Sequence, residues 1–238
     1  MADGDLSVRR FYGRRHGRRL RAGRERLVRE LLPRLTIALP DESLDPSTVF
    51  TTPPQSCWLE VGFGAGEHIA AQAQANPNVG FIGCEPYING IARLLTAIDE
   101  ERIDNIRIFP DDARLLLDWI STASLERVFV LFPDPWPKNR HAYRRFVCPE
   151  NLDLLSRIMA DGAELRIASD EMGYVRWTLF HVRSHPDFEW MATEARDWRE
   201  RPADWPPTRY EEKALAAGKD CAYLGFRRRP RSPMAGKT

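Results

Sequence analysis

The chain has 238 residues, 43% of them hydrophobic, enough to bury a sizeable core in one domain with appendages. Its longest apolar runs fall far short of the roughly 18 residues a membrane span needs, and no apolar stretch follows a basic start as in a signal peptide, so a cytoplasmic protein without membrane contact is expected. The net charge of +1 conceals an asymmetry: eleven arginines from Arg9 to Arg34, set against Glu25 and Glu30, give that segment +9 and leave −8 for the rest.

In chain order, the first predicted element is this arginine-rich arm, in which Phe11, Tyr12 and several glycines separate the guanidinium groups. Taken alone, such a run is a solvated arm as readily as a binding one. Arginine's planar fork grips phosphate oxygens in pairs and stacks on bases, which favours a polyanion, and nucleic acid is the expected partner. A second cluster, Arg227, Arg228, Arg229 and Arg231, is expected to serve the same partner.

Over residues 24–35, Leu27, Val28, Leu31, Leu32 and Leu35 follow the 3.6-residue period of one amphipathic helix. Pro40 closes it, and the proline-bearing stretch 41–55 reads as a linker. Strands are then predicted at 57–61, 81–85, 106–109, 127–132 and 164–168, with helical patterns such as 91–101 and 150–159 between them. That rhythm is a repeated βαβ unit, which dictates a parallel sheet covered by helices on both faces. Residues 188–192 and 222–227 read as two more strands with no obvious helix between them, an antiparallel pair at one edge. The resulting division is an arm and helix at 1–40, a linker at 41–55, the main domain at 56–229 and a tail at 230–238. Cys57, Cys84, Cys148 and Cys221 form no C-x-x-C pair and read as small core hydrophobes.

The polar ends of these strands carry the chemistry. Glu60-Val61-Gly62-Phe63-Gly64-Ala65-Gly66 follows the first strand, with a helix beginning near His68. Alternate glycines let the backbone turn sharply and approach a ligand, but the third glycine comes one residue early for a dinucleotide fingerprint, and Glu60 and Glu67 would repel a pyrophosphate. A ligand carrying a cation fits better, with Glu60 drawing an ammonium group. Glu85 ends the second strand, where a carboxylate accepts from both hydroxyls of a ribose, and Asp111-Asp112 after the third offers an acceptor for an adenine amine. Acids at successive strand ends beside a glycine loop describe an adenosyl site of the S-adenosylmethionine type. After the fourth strand, Phe132-Pro133-Asp134-Pro135-Trp136-Pro137-Lys138 must turn, because three alternating prolines cannot continue a ladder. The turn presents a carboxylate, an aromatic face and an ammonium together.

In this order, E-V-G-F-G-A-G (60–66), G-C-E (83–85), D-D-A (111–113), F-P-D-P-W-P-K (132–138), A-S-D (168–170) and T-R-Y-E (208–211) resemble the bacterial tRNA guanine-N7 methyltransferases. The match runs over residues 59–226, and the G-R-R-H-G-R-R run (13–19) is similar to that family's N-terminal extension. The resemblance implies a class I, Rossmann-like methyltransferase fold with a mostly parallel seven-stranded sheet. It also implies S-adenosylmethionine as donor, with S-adenosylhomocysteine as product, and a guanine in the variable loop of tRNA as acceptor. It assigns cofactor contacts to Glu60, Gly62, Gly64, Gly66, Glu85, Asp112 and Asp134, with Asp134 also catalytic. Substrate contacts fall to Lys138, Asp170, Thr208, Arg209, Tyr210 and Glu211. The chain departs from the family in Asn139-Arg140-His141-Ala142-Tyr143, less basic than in many relatives, and in Ser169, where threonine is common.

Guanine N7 carries a free lone pair and no proton, so the expected task is alignment, with Asp134 stabilising the cation that develops on the base and Asp170 or Glu211 holding the base edge. Trp136 is equally a stacking face for the base or a cover for the core, and Lys138 is expected to meet a phosphate. His181 and His185 are spaced for zinc, yet no carboxylate motif accompanies them and no metal is assigned. Two other readings stand beside this one: a methyltransferase acting on an exocyclic amine, and a nonenzymatic RNA-binding module. No obligatory protein partner is expected. Deleting residues 1–23 is expected to weaken tRNA affinity and flatten its salt dependence while leaving adenosylmethionine binding intact.

Overall fold

A computed structural model describes residues 13–39 and 41–232. The expectations resting on Arg9, Arg10, Phe11 and Tyr12, and on the tail beyond residue 232, lie outside the described residues.

The chain begins with helices α1 (Ala22–Glu30) and α2 (Leu32–Leu35). One helix is expected there; two form because Pro33, with no N–H to donate, sits in the first turn of α2 and cannot continue α1. The alternation then runs β1 (Ser56–Val61), α3 (Glu67–Ala75), β2 (Val79–Cys84), α4 (Ile88–Glu101), β3 (Ile106–Phe109), α5 (Ala113–Leu117), β4 (Leu125–Leu131), α6 (Pro149–Ile158), β5 (Met159–Ser169), α7 (Met172–Ser184) and β6 (Phe188–Trp190). Helices α8 (Arg196–Arg199) and α9 (Arg209–Ala216) follow, then β7 (Ala222–Arg228). The expected pair at 188–192 and 222–227 is therefore antiparallel as read, but two short helices separate its members; both are too brief to show a period in the sequence.

The seven strands form one sheet in the order β3-β2-β1-β4-β5-β7-β6. The first five run parallel, and β7 pairs antiparallel with both β5 and β6. The central stretches of the strands are mostly apolar and buried because both faces are covered. On β4, Val128 and Val130 pack on one side with Leu116, Leu152 and Val182, whereas Phe129 and Leu131 pack on the other with Ile69, Leu94 and Leu27. Strand order reverses between β1 and β4, so the loops at their carboxyl ends diverge and leave a crevice between them, the usual place for a ligand in an open α/β sheet.

Two segments differ in role from their sequence reading. The stretch 41–55 lies against the domain: Phe50 is buried, and Leu44 bridges Ile120 in parallel fashion. Just before it, Thr36 bridges Ile108, and Ile37 N–H donates to the Ile108 carbonyl at 2.8 Å. Of the C-terminal arginines, Arg228 and Arg231 turn inward, whereas Arg227 and Arg229 are exposed. Arg228 is 4% exposed and donates to the Ser156 carbonyl, while Arg231 reaches the carbonyls of Ser156, Arg157 and Met159. These two guanidinium groups fasten the chain end to α6 and β5 instead of facing a polyanion.

Candidate active site

The first wall of the crevice is the glycine loop. Gly62, Gly64 and Gly66 hold φ values of +70°, +60° and +86°, the left-handed region where a side chain is strained. At Gly62 an added Cβ would meet nothing within 4 Å and would project into open space, while the Gly64 carbonyl oxygen lies 2.1 Å from where a Cβ on Gly90 would stand. Helix α4 must therefore carry a glycine in its first turn for the loop to lie against it, a requirement not legible in Ile88-Asn89-Gly90 as a stretch of helix. Glu85 ties loop and helix together: Oε2 accepts from Gly64 N–H at 2.8 Å and Oε1 from Tyr87 N–H at 2.9 Å. Burial pushes the Glu85 carboxyl up to about 7 against the pull of these two donors, and Asp134 and Glu60 add repulsion.

Two residues expected at this wall lie behind it. Glu60 is 4% exposed and turns its Oε2 toward His68 Nδ1 at 2.7 Å, away from the crevice. Its partner comes from the first turn of α3, and the buried pair ties β1 to that helix. Gly66 is likewise buried, and its missing Cβ makes room for Leu94 of α4. Asp112 does reach the crevice, but its carboxylate is already bidentate to Arg114 and caps α5 through Arg114 N–H at 3.0 Å.

The facing wall is the turn after β4. Phe132 and Trp136 have φ of +48° and +42°, a region that costs a bulky L-residue about 1–2 kcal/mol. Asp134 opens onto the crevice, and the surrounding protein desolvates it enough to raise its carboxyl above the ordinary range. Trp136 belongs to this wall and to neither core cluster; the Arg144 guanidinium lies 4.8 Å over its ring and His141 meets it edge-on at 5.9 Å. The reading of Trp136 as a core cover is thereby removed. Lys138 is exposed, just ahead of a 3-10 helix at Asn139–Arg144.

The T-R-Y-E run divides by position. Thr208 and Glu211 form a capping box at the start of α9, and Glu211, 3% exposed, also accepts from the Tyr223 hydroxyl and pairs with Arg201 at 3.0 Å. Arg209 and Tyr210, at the next two positions, line the crevice, with Tyr210 against Gly64. Asp170 is held by Lys219 Nζ at 2.6 Å. Both oxygens of the Glu211 carboxylate are engaged within the protein, which gives it a structural part in holding α9. His181 packs on Trp177 and His185 meets Asp153 at 3.1 Å, so the two do not converge. Among the described residues no group of three His, Cys, Asp or Glu side chains is arranged to hold a metal, and no helix is long and apolar enough to cross a membrane.

The arm supplies a third wall, which the sequence did not disclose. Ile88 N–H donates to the Arg15 carbonyl at 3.0 Å, Gly17 N–H to Asn89 Oδ1 at 2.9 Å, and Asn89 Nδ2 to the Arg18 carbonyl at 2.7 Å. Arg15 pairs with Asp111 at 2.6 Å, and a Cβ at Gly17 would stand 2.1 Å from the Tyr87 hydroxyl oxygen. Residues 13–18 are thereby laid across the start of α4, and Arg14, Arg18, Arg24, Arg93, Arg144 and Arg209 ring the opening. The half-open crevice has a volume of about 1250 Å³, more than the ~300–1,000 Å³ of a single small-ligand pocket. It has room for a nucleoside-sized ligand and a second group beside it.

Residues 54–224 match the model of a family described as "Putative methyltransferase". The tRNA (guanine-N(7)-)-methyltransferase of Rhodospirillum rubrum is 56% identical over 95% of this chain and 91% of its own. That of Paramagnetospirillum magneticum is 51% identical over 93% and 94%. Solved structures similar in fold include an rRNA methylase from Streptococcus thermophilus (TM-score 0.51, 12% identity, 74% of this chain and 87% of that one). A SAM-dependent O-methyltransferase from Thermotoga maritima is another (TM-score 0.50, 14% identity, 87% and 72%). The fold is that of the Rossmann-like class I methyltransferases, and at the identities found, over nearly its whole length, the chain belongs to the tRNA (guanine-N7-)-methyltransferase family.

Proposed function

We propose that this chain transfers a methyl group from S-adenosylmethionine to N7 of a guanine in the variable loop of tRNA. The observation that carries the reading is that one cavity, ringed by arginines, joins the glycine loop and Glu85 on one side to the Asp134 turn on the other. The glycine loop fits an adenosyl ligand, because the space a Cβ on Gly62 would fill is open and the Glu85 oxygens each retain a lone pair for a ribose hydroxyl. Bound there, S-adenosylmethionine supplies an electrophilic methyl on a sulfonium.

The remaining work belongs to the protein. Guanine N7 needs no base to free its lone pair, so the walls serve to align it, a contribution that reaches roughly 7–11 kcal/mol in well-oriented reactions. Asp134 holds a carboxylate where positive charge grows on the base and accepts from its N–H edge. Trp136, stiffened by Arg144, offers a face for a base that has left its stack, and Tyr210 closes the opposite side. The ring of arginines receives phosphates of the folded RNA. Lys138, Asp170 and Arg209 lie outside or at the rim of this cavity and are proposed to contact the RNA around the target.

The test is methyl transfer from labelled S-adenosylmethionine to unmodified tRNA transcripts, one with the variable-loop guanine and one with it replaced. Label only in the first, recovered as 7-methylguanosine, is the expected result. Label in both, or in an exocyclic amine, would reject the acceptor; adenosylmethionine binding without transfer to either would favour the nonenzymatic reading.

A further inference from the structure

The 132–138 turn holds two aromatic residues in left-handed backbone, and three of its seven residues are prolines with no N–H. Little of its shape can come from its own hydrogen bonds. The geometry points to Arg145 as the positioning residue that keeps this turn, and with it Asp134, in its working shape. Arg145 Nε donates to the Pro135 carbonyl at 2.9 Å and Nη2 to the Trp136 carbonyl at 3.0 Å. These carbonyls belong to the two peptide planes that meet at the Trp136 Cα, so one guanidinium fork fixes both φ and ψ of the strained residue. Pro135, whose own φ is locked by its ring, carries that orientation to Asp134 immediately upstream.

Burial gives the contact its force. Arg145 is 7% exposed and lies 4.6 Å over the ring of Trp177 on α7, which is itself anchored by an indole N–H bond to the Val147 carbonyl at 2.6 Å. Among the described residues no carboxylate lies within ion-pair distance of Arg145; its partners are two backbone carbonyls and an indole face. A buried cation without an anion is an expensive way to fill space. It is well suited to gripping two carbonyls of a loop that cannot grip itself, a task that needs the planar fork and the stacking surface of arginine and that an ammonium cannot reproduce. Neighbouring Arg144 points the other way, over Trp136 at the cavity.

This inference rests on the reading of Asp134 given above, and the experiment separates the two. Steady-state methyl transfer to a tRNA transcript, calorimetric titration of S-adenosylhomocysteine and thermal melts are measured for wild type, Arg145→Lys, Trp177→Leu, Asp134→Asn and the Asp134→Asn/Arg145→Lys double variant. Arg145→Lys is expected to lower kcat by about tenfold or more, with adenosylhomocysteine affinity and the KM for tRNA within about twofold of wild type. Trp177→Leu, which leaves the fork but removes its platform, should show the same split to a smaller extent and carries the test if Arg145→Lys does not fold. The double variant should be no slower than Asp134→Asn alone, since both changes spoil one device. Wild-type kcat in the folded single variants, multiplicative losses in the double variant, or cofactor affinity falling in step with kcat would each overturn the role of Arg145. Full turnover by Asp134→Asn would remove the reading of Asp134 and the brace with it, whereas loss in Asp134→Asn without loss in Arg145→Lys would remove the brace alone.

Discussion

Two walls of the cavity, the glycine loop and the turn after β4, both use left-handed backbone, and they use it in opposite ways. On the glycine loop, positive φ falls on Gly62, Gly64 and Gly66, where it costs little. In the turn after β4 it falls on Phe132 and Trp136, where it is strained. The first wall needs side chains to be absent so that backbone can approach a ligand. The second needs its side chains present and accepts the strain, which surrounding contacts must then hold. A wall of the first kind should be broken by adding atoms, and a wall of the second kind by removing a functional group.

The largest expected effect is on the second wall. Asp134→Asn keeps the shape of the side chain and removes the charge that faces the forming cation, and kcat should fall by roughly 10²–10³ in the labelled-transfer assay. On the first wall, Gly90→Ala places a methyl 2.1 Å from where the Gly64 carbonyl oxygen now stands; the loop must move, and adenosylhomocysteine affinity measured by calorimetry should drop by about tenfold or more. Turnover at saturating cofactor should suffer less, which is the inverse of the Asp134→Asn pattern.

A pH titration sharpens the contrast. Burial raises Glu85 from an ordinary carboxylate value to about 7, so the folded chain binds this proton more tightly than the unfolded chain does. Its ionisation therefore subtracts from stability as pH rises from the unfolded value through about 7, while a ribose hydroxyl requires the ionised form. At pH 6 about a tenth of Glu85 is ionised and at pH 8 about nine tenths, so cofactor affinity should be about tenfold weaker at pH 6. Glu85→Gln should bind weakly at both and show a flat profile.

The smallest of these effects concerns the arm. Its sequence led to the expectation that deleting residues 1–23 would spare adenosylmethionine binding. With Arg15, Gly17 and Arg18 bonded to Ile88, Asn89 and Asp111 beside Glu85, the same deletion should weaken cofactor affinity by roughly three- to tenfold as these bonds are lost. Unchanged affinity would mean that the arm lies against the wall without supporting it.

What could be read beforehand follows from the distance over which each signal acts. The apolar runs of β1, β3 and β4 and the glycine loop are local features, and they fell within a residue or two of the observed bounds. Thr208-Arg209-Tyr210-Glu211 also carries a local signal, since threonine followed three residues later by glutamate is a capping box; the resemblance drew attention to the run as substrate contacts and away from that simpler reading. The pairing of Glu60 with His68 could not be read from the sequence, because it is set by how α3 packs on the loop. The docking of Gly17 depends on Tyr87, seventy residues away, and leaves no periodicity to find.

The bridge from Thr36 and Ile37 to Ile108 has a meaning beyond holding α2 in place. Strand β3 is an outermost strand, and an outermost strand with free N–H and C=O groups is a template for another chain. At the opposite border the sheet ends in β6, only three residues long, which offers a stranger little to pair with. On the β3 side the protection is a short length of the protein's own backbone, so a chain trimmed to start after residue 40 would keep most of its core and lose the guard on Ile106–Phe109. Such a fragment should be prone to self-association through that border.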